Sequence, residues 1–476
     1  MSQLQTYPMT IDGKAVASTS SETILNPFDL SPVGECPVAS LDDFQAAVAS
    51  ARKAFPAWSA TSDDDRAKAC LDIAGVIQAN AEELSVLITK EQGKPLDAGG
   101  FGSGFEVGGC IGWSQATSVL KLDNKTIVDA DGVKAIQKYV PIGVVGSITP
   151  WNWPLLIAVW HILPALRAGN TVVIKPSPNT PLSTLRAVQL MNDVLPAGVL
   201  NVVPGGAEIG AAMSSHPGID KIMFTGSTAS GKHVMRSAAE NVTRCTLELG
   251  GNDPAIILPD SPVAAMAEGI YFGSFINAGQ TCGAIKRVYV HESQYAELNE
   301  ALVAIAKSKV TGNGLDSGVD MGPLQNKMQF DKVQRLLNEA KQSGASLLCG
   351  GEQVGIGYAL TPAIVADCKP GMSIVDEEQF GPALPIVPYK TIDDAINMAN
   401  AGEFGLCASV WGIDQDALEQ TADQIDAGTV YINTHAELNP MVPFGGVKSS
   451  GLGVQFGVEG LAAMSNIKVH YQRSPQ

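Results

Sequence analysis

Four short apolar runs, Ile142–Ile148, Thr171–Ile174, Leu200–Val203 and Ile222–Phe224, alternate with helix-length stretches at 155–168, 181–195 and 207–215. No other feature constrains the chain as tightly. Strands that are apolar throughout are buried on both faces, and such strands with helices between them build βαβ units around a parallel sheet. The middle helix is punctuated at both ends: Thr180 is read as its cap, Pro181 suits its first turn, and Gly198 follows its end. The alternation resumes with strand-like runs at Val288–His291, Ser346–Leu348, Ile364–Ala366, Leu384–Tyr389, Ala408–Trp411 and Thr429–Asn433. A chain of 476 residues holds two α/β domains of roughly 200 residues each.

The flanks differ. Residues 40–120 are read as helical: Ser40 and Asp43 make a capping box ahead of Phe44, Val48, Ala51 and Phe55 on one face, and Asp63–Asp65 open a second helix with the favourable sign for its dipole. The stretch 121–141 is read as an edge hairpin turning at Asp131-Gly132.

Charge and composition bound the partners. Lys and Arg total 31 against 48 Asp and Glu, a formal charge of −17, so no nucleic-acid partner is expected. The N-terminus has neither the basic nor the apolar region of a signal peptide. The longest apolar stretch, Leu155–Leu166, carries His161 and Pro164 and is too short to span a bilayer. No membrane partner is expected and the chain is read as cytoplasmic. The 8 cysteines, at 36, 70, 110, 245, 282, 349, 368 and 407, show no CxxC spacing, so neither a disulfide framework nor a metal is expected.

Four segments could carry chemistry. Gly226-Ser-Thr-Ala-Ser-Gly-Lys232 follows a strand-like run and misses a P-loop by one residue, because His233 stands where a Mg²⁺-binding hydroxyl belongs. It fits either a plain glycine turn or a pyrophosphate cradle at a helix start, and it leaves an NTP-binding protein as an alternative. Cys282 is wrapped in Gly279, Gln280, Thr281 and Gly283, small and polar neighbours that leave its sulfur approachable. Cys70, Cys110 and Cys407 have helix- or strand-like surroundings and read as core filler. Glu248, between Leu247 and Leu249, is either a solvated strand residue or a carboxylate desolvated enough to act as a base. Asn152, framed by Pro150, Trp151, Trp153 and Pro154, is either a turn amide or an oxyanion donor.

Taken together, PWNWPL (150–155), IKPSPNTP (174–181), FTGST (224–228), LELGG (247–251), GQTC (279–282), MGPL (321–324), EEQFGPALP (377–385) and PFGGVKSSGLG (443–453) resemble, in order and through most of the chain, the aldehyde dehydrogenase superfamily. The resemblance implies an α/β fold with a Rossmann-type cofactor domain (1–122 and 142–250), an α/β catalytic domain (251–449) and oligomerisation strands at 123–141 and 465–474, in a homodimer or homotetramer. It implies NAD(P)-dependent oxidation of a small-molecule aldehyde to its acid. Cys282 is then the nucleophile, Asn152 and the Cys282 N–H the oxyanion donors, and Glu248 the base that hydrolyses the thioester. Cofactor contacts fall on Trp151, Lys175, Ser177, Gly226, Ser227, Glu378 and Phe380. The aldehyde tunnel falls on Trp153, Leu156, Ile157, Trp160, Ile276 and Leu438, with the polar loop residues His435, Glu437 and Asn439 read either as its mouth or as a solvated loop.

Three positions depart from the family pattern. Pro178 stands where NAD-preferring relatives carry a glutamate that repels a 2′-phosphate, so NAD is expected with NADP admitted. Gln455 replaces an acid in the C-terminal motif, and His161 a common lysine. A CoA-acylating enzyme is the alternative within the family, disfavoured by Glu248.

Overall fold

The computed structural model describes residues 4–259 and 261–474; residues 1–3, with which the expected cofactor domain begins, lie outside the described residues. Five parallel strands form the middle of the first sheet in the spatial order Leu200–Val202, Thr171–Lys175, Val144–Ile148, Lys221–Thr225, Arg244–Glu248. Met9–Ile11 and Lys14–Val16 add antiparallel strands at one edge and Gly451–Leu452 at the other. The first parallel strand in sequence, Val144–Ile148, lies at the centre, and the chain builds outward from it first one way and then the other. The switch point therefore lies between Val144–Ile148 and Lys221–Thr225, and it opens a crevice beyond their carboxyl ends.

The second sheet has seven strands in the order Ser346–Cys349, Ala363–Ala366, Ala383–Tyr389, Ile285–His291, Asp253–Ile257, Cys407–Trp411, Thr429–Ile432, parallel except at Ser346–Cys349. The interior strand Asp253–Ile257 is not foreseen from sequence, because Pro254 argues against an interior strand. Its pairing register shifts between Asp253 and Pro254, so the missing N–H falls at an irregularity in the ladder.

The carboxyl edge of the first sheet meets the amino edge of the second. Asn152 and Gly226 follow first-sheet strands and Glu248 ends one, while Asp253 and Cys407 begin second-sheet strands and Cys282 and Phe380 closely precede two others. The alternation in the sequence thus delivers its polar loops from two sheets to one seam.

The helices follow the expected pattern with one change of cap. The capping box of Ser40 and Asp43 is present on Leu41–Ser59. Thr180, however, does not cap Leu182–Met191: its hydroxyl donates to the Trp151 carbonyl (3.3 Å). The buried Glu91 carboxylate accepts from the N–H groups of Leu182 (2.7 Å) and Ser183 (2.9 Å) instead. The helix Pro154–Arg167 is buried at every residue except Pro164, so it lacks a polar face.

Lys125–Ala130, Val133–Pro141 and Ser465–Arg473 form a separate antiparallel sheet. Asp131 and Gly132 both take positive φ (52° and 70°), as a tight hairpin of this type requires. Among the described residues no helix is long and apolar enough to cross a membrane.

Candidate active site

The helix Val263–Phe275 is followed, after Ile276, by three successive left-handed residues, Asn277, Ala278 and Gly279 (φ 53°, 55° and 72°). The last must be glycine, since a Cβ there would lie 2.3 Å from the Gly381 carbonyl oxygen. This turn throws the chain into Gln280, whose buried side chain accepts from the Gln325 N–H (2.9 Å) and donates to the Asn277 carbonyl (2.9 Å). Two residues on, Cys282 borders both main cavities of the seam. Burial pushes its thiol up to about 12; the Lys286 ammonium opposes the rise, and the carboxylates of Glu248, Asp253 and Glu378 add to it.

Asn152 approaches from the loop after the first-sheet strand Val144–Ile148. Its side-chain amide donates to the Gln280 carbonyl (2.9 Å), which spends one of two amide hydrogens and aims the group at the cysteine turn. Its own carbonyl is held by the Lys94 ammonium (2.9 Å) and by the Asn277 amide (2.8 Å). Lys94 is ion-paired with Glu106, both fully buried, and sits 3.5 Å over the Trp153 ring. Glu106 in turn accepts from the N–H groups of Leu155 (2.9 Å) and Leu156 (3.1 Å), capping the buried helix. Removing one partner of such a pair strands a buried charge, so Lys94→Met is expected to cost about 3–5 kcal/mol. The double variant Lys94→Met/Glu106→Gln should recover much of that loss. Urea unfolding of both variants checks this; a double variant less stable than the single one would contradict it.

Glu248 ends its strand with a 4 % exposed side chain, and among the described residues neither carboxyl oxygen has a hydrogen-bond partner. It is no solvated strand residue, and burial raises its carboxyl well above the ordinary value. His161 is fully buried between the hydroxyls of Ser147 (2.8 Å) and Thr225 (3.0 Å), and burial pushes it down to about 3, so it is neutral. Gln455 exchanges two backbone hydrogen bonds with Phe444 (2.7 and 2.9 Å).

A cavity of about 350 Å³ at the switch point is lined by Trp151, Asn152, Gly226, Ser227, Glu378 and Phe380, and also by Thr225, Leu249, Gly250 and Lys332. Ser227 caps the helix Thr228–Ala238, whose amino end faces this space. Glu378 accepts from the Gly251 N–H (3.0 Å), and Phe380 packs edge-on to Trp151. Lys175 and Ser177 do not line this cavity. The Lys175 ammonium is buried against the carbonyls of Gly205 (2.9 Å) and Pro176 (3.1 Å), and Ser177 accepts from the Asn179 N–H (3.3 Å).

The NTP reading fails on geometry. Gly231 and Lys232 lie inside the helix, not in a phosphate loop, and Gly231 is small because a Cβ there would lie 2.3 Å from Leu249 Cδ2.

The second cavity, about 210 Å³, brings Trp153, Leu156, Ile157, Trp160, Ile276 and Leu438 around Cys282. Glu437 and Asn439 are exposed and outside this lining, with Glu437 accepting from the Thr434 hydroxyl (2.7 Å). His435 turns inward to 3.9 Å from Asp253, both side chains fully buried. Cys407 is buried as expected of core filler, yet it also lines this cavity.

The aldehyde dehydrogenase family profile matches residues 15–470. The chain belongs to the aldehyde dehydrogenase family. It is 38% identical over 469 residues to the aldehyde dehydrogenase LUC3 of Fusarium sp, covering 98% of each chain. To the phenylacetaldehyde dehydrogenase of Pseudomonas fluorescens it is 38% identical over 468 residues, covering 95% of this chain and 93% of that one. The crystal structure of the Staphylococcus aureus betaine aldehyde dehydrogenase in complex with NAD+ superposes with a TM-score of 0.95 at 33% identity, covering 99% of this chain and 96% of the other.

Several residues of this aldehyde dehydrogenase escape the sequence reading. Phe105 and Trp113 wall the smaller cavity beside Cys282 with Tyr431 and Phe444. The first two were findable, since Phe105, Gly109 and Trp113 share one helix face at four-residue spacing. Gly109 there admits Leu156, whose Cδ1 would lie 3.0 Å from a Cβ. Lys94 and Glu106 carry no such signal, because their pairing is fixed by tertiary packing alone.

Proposed function

We propose that this aldehyde dehydrogenase oxidises neutral aldehydes with an apolar, preferably aromatic body to carboxylic acids, with NAD as cofactor. The observation that carries the substrate class is the wall of the cavity beside Cys282: Phe105, Trp113, Trp153, Trp160, Tyr431 and Phe444, with no charged side chain among its lining residues. A planar apolar body is stabilised there by burial and ring stacking, whereas a carboxylate would be desolvated without a partner.

Cys282 attacks the aldehyde carbon as thiolate, and the remaining Asn152 amide hydrogen and the Cys282 N–H receive the oxyanion. Glu248 takes the proton of the water that opens the thioester. The crevice suits a dinucleotide: a helix amino end at Ser227 for the pyrophosphate, Glu378 for the nicotinamide ribose, Trp151 and Phe380 beside the ring. Lys175 and Ser177, farther along the same edge, would meet the adenosine ribose. NAD bound there supplies the two-electron acceptor of the oxidation. Pro178 presents no carboxylate to a 2′-phosphate, so NADP is used as well, less efficiently.

Residues 1–122 and 142–250 form the cofactor domain in this reading, and 251–449 the catalytic one. The three-stranded sheet of 123–141 and 465–474 joins subunits of a homo-oligomer, supported by Ile467, Val469 and Tyr471, which are 64%, 55% and 67% exposed.

A comparison of kcat/KM tests the substrate class with three aldehydes of matched length, one ending in phenyl, one in carboxylate and one in a trimethylammonium group, each with NAD and with NADP. The aryl aldehyde is expected to exceed the acid by at least about 10²-fold. A preference for the acid would overturn the reading, and a preference for the cation would redirect it to cation–π recognition.

A further inference from the structure

Lys286 takes no part in the chemistry above, yet its side chain is aimed wholly at the nucleophile turn. It is the second residue of the strand Ile285–His291 and is 2 % exposed. Its ammonium donates to the carbonyls of Thr281 (2.6 Å), Cys282 (3.3 Å) and Ala284 (3.2 Å). All three bonds go to uncharged oxygens. Among the described residues it makes no ion pair with any carboxylate. Carbonyls satisfy the N–H donors of a buried ammonium but leave its charge unneutralised, and that arrangement is costly unless an anion forms nearby.

Several neighbouring elements bring titratable groups toward it. Asp253 opens the adjacent strand, its buried carboxyl beside the Cys407 backbone and 3.9 Å from His435. Glu248 ends the facing strand of the first sheet, and Glu378 lies beyond the helix Ser373–Asp376. Cys407 opens the strand on the far side of Asp253, His435 packs against Asp253, and Lys332 reaches in from Lys327–Gln342. The Phe380 ring centroid is 5.7 Å from the ammonium. Three carboxyl groups therefore oppose ionisation of Cys282, and Lys286 is the cation bound to the turn that carries it.

We propose that Lys286 is a positioning residue of the nucleophile: it pins the Thr281–Ala284 turn and supplies the positive charge that stabilises the Cys282 thiolate. The proposal rests on Cys282 as the nucleophile, and its test requires no turnover. The direction agrees with burial raising the thiol and the ammonium opposing that rise.

The experiment is the pH dependence of Cys282 carboxamidomethylation by iodoacetamide in the full-length protein, read by mass spectrometry of the Cys282 peptide. Native enzyme, Lys286→Gln and Lys286→Arg are compared. Glutamine keeps a donor for the turn and loses the charge, so its midpoint should move up by at least about one pH unit, with reaction near neutral pH slowed about tenfold. The plateau at high pH should match the native one, because thiolate access is unchanged. Arginine keeps the charge and should keep the native midpoint. An unshifted midpoint in Lys286→Gln, with only the plateau lowered, would reduce Lys286 to a strut and overturn the proposal. If the glutamine variant does not fold, a midpoint raised by a full unit in Lys286→Arg overturns it equally. A failure of Cys282→Ala to lose activity would instead strike the nucleophile assignment and leave this measurement standing.

Discussion

Cys282→Ala is expected to remove aldehyde oxidation by at least about 10³-fold while NAD binding and thermal stability remain close to native. The split follows from where the sulfur sits. Cys282 is half-buried at the border of two cavities, so truncation removes one atom from a partly open wall and leaves no enclosed void. The turn around it is held by backbone carbonyls on Lys286 and by the Gln280 side chain, none of which involves the thiol. Trp151 lines the switch-point cavity proposed for NAD, so quenching of tryptophan fluorescence by NAD reports binding in the variant. Formation of reduced cofactor reports turnover. Retained turnover in a folded variant would transfer the nucleophile to another residue.

Glu248→Gln should fail later in the cycle. The variant should release one equivalent of reduced cofactor in a rapid burst, then turn over about 10²–10⁴-fold more slowly than native, as loss of a general base does. Its pH profile separates the base from a structural carboxyl. Burial raises the Glu248 carboxyl well above its ordinary value, so the group is protonated at the acid end and becomes a competent base as pH rises. Native steady-state turnover should therefore climb with pH through that ionisation, and the same limb should be flat in Glu248→Gln. A glutamine variant whose steady state still climbs as the native one does would exclude Glu248 as the base. The substitution leaves the fold intact, since neither carboxyl oxygen holds a protein partner among the described residues.

The strands around Val144–Ile148, Thr171–Lys175 and Lys221–Thr225 announced themselves because both their faces are buried and nearly every residue is apolar or small. Asp253–Ile257 did not, because a proline near its start is tolerated only by a local register shift that no periodicity reveals. Thr180 looked like a cap because local spacing allowed it, yet the fold satisfied that helix with Glu91 from far away in sequence. Glu437 could be read as a tunnel mouth, by proximity to Leu438, or as a solvated loop residue; a loop with Asn433 and Ala436 at positive φ leaves Glu437 exposed and turns His435 in.

The class of sheet, the order of the strands' loops and the identity of the family could be read from the chain unaided, because burial patterns and glycine- and proline-bounded motifs are local and survive without a partner. How the site is held and charged is a matter of packing between distant segments. Lys94, just past the helix Ala81–Gln92, and Glu106, on the helix Ser103–Val119, lock the Asn152 loop, and the Asn152 amide reaches the Gln280 carbonyl from 128 residues away in sequence. Aromatic rings from Phe105 to Phe444 converge into one uncharged wall across the seam. Charge stabilisation and exclusion of water fall off steeply with distance, and those distances are set by contacts between residues that lie far apart along the chain.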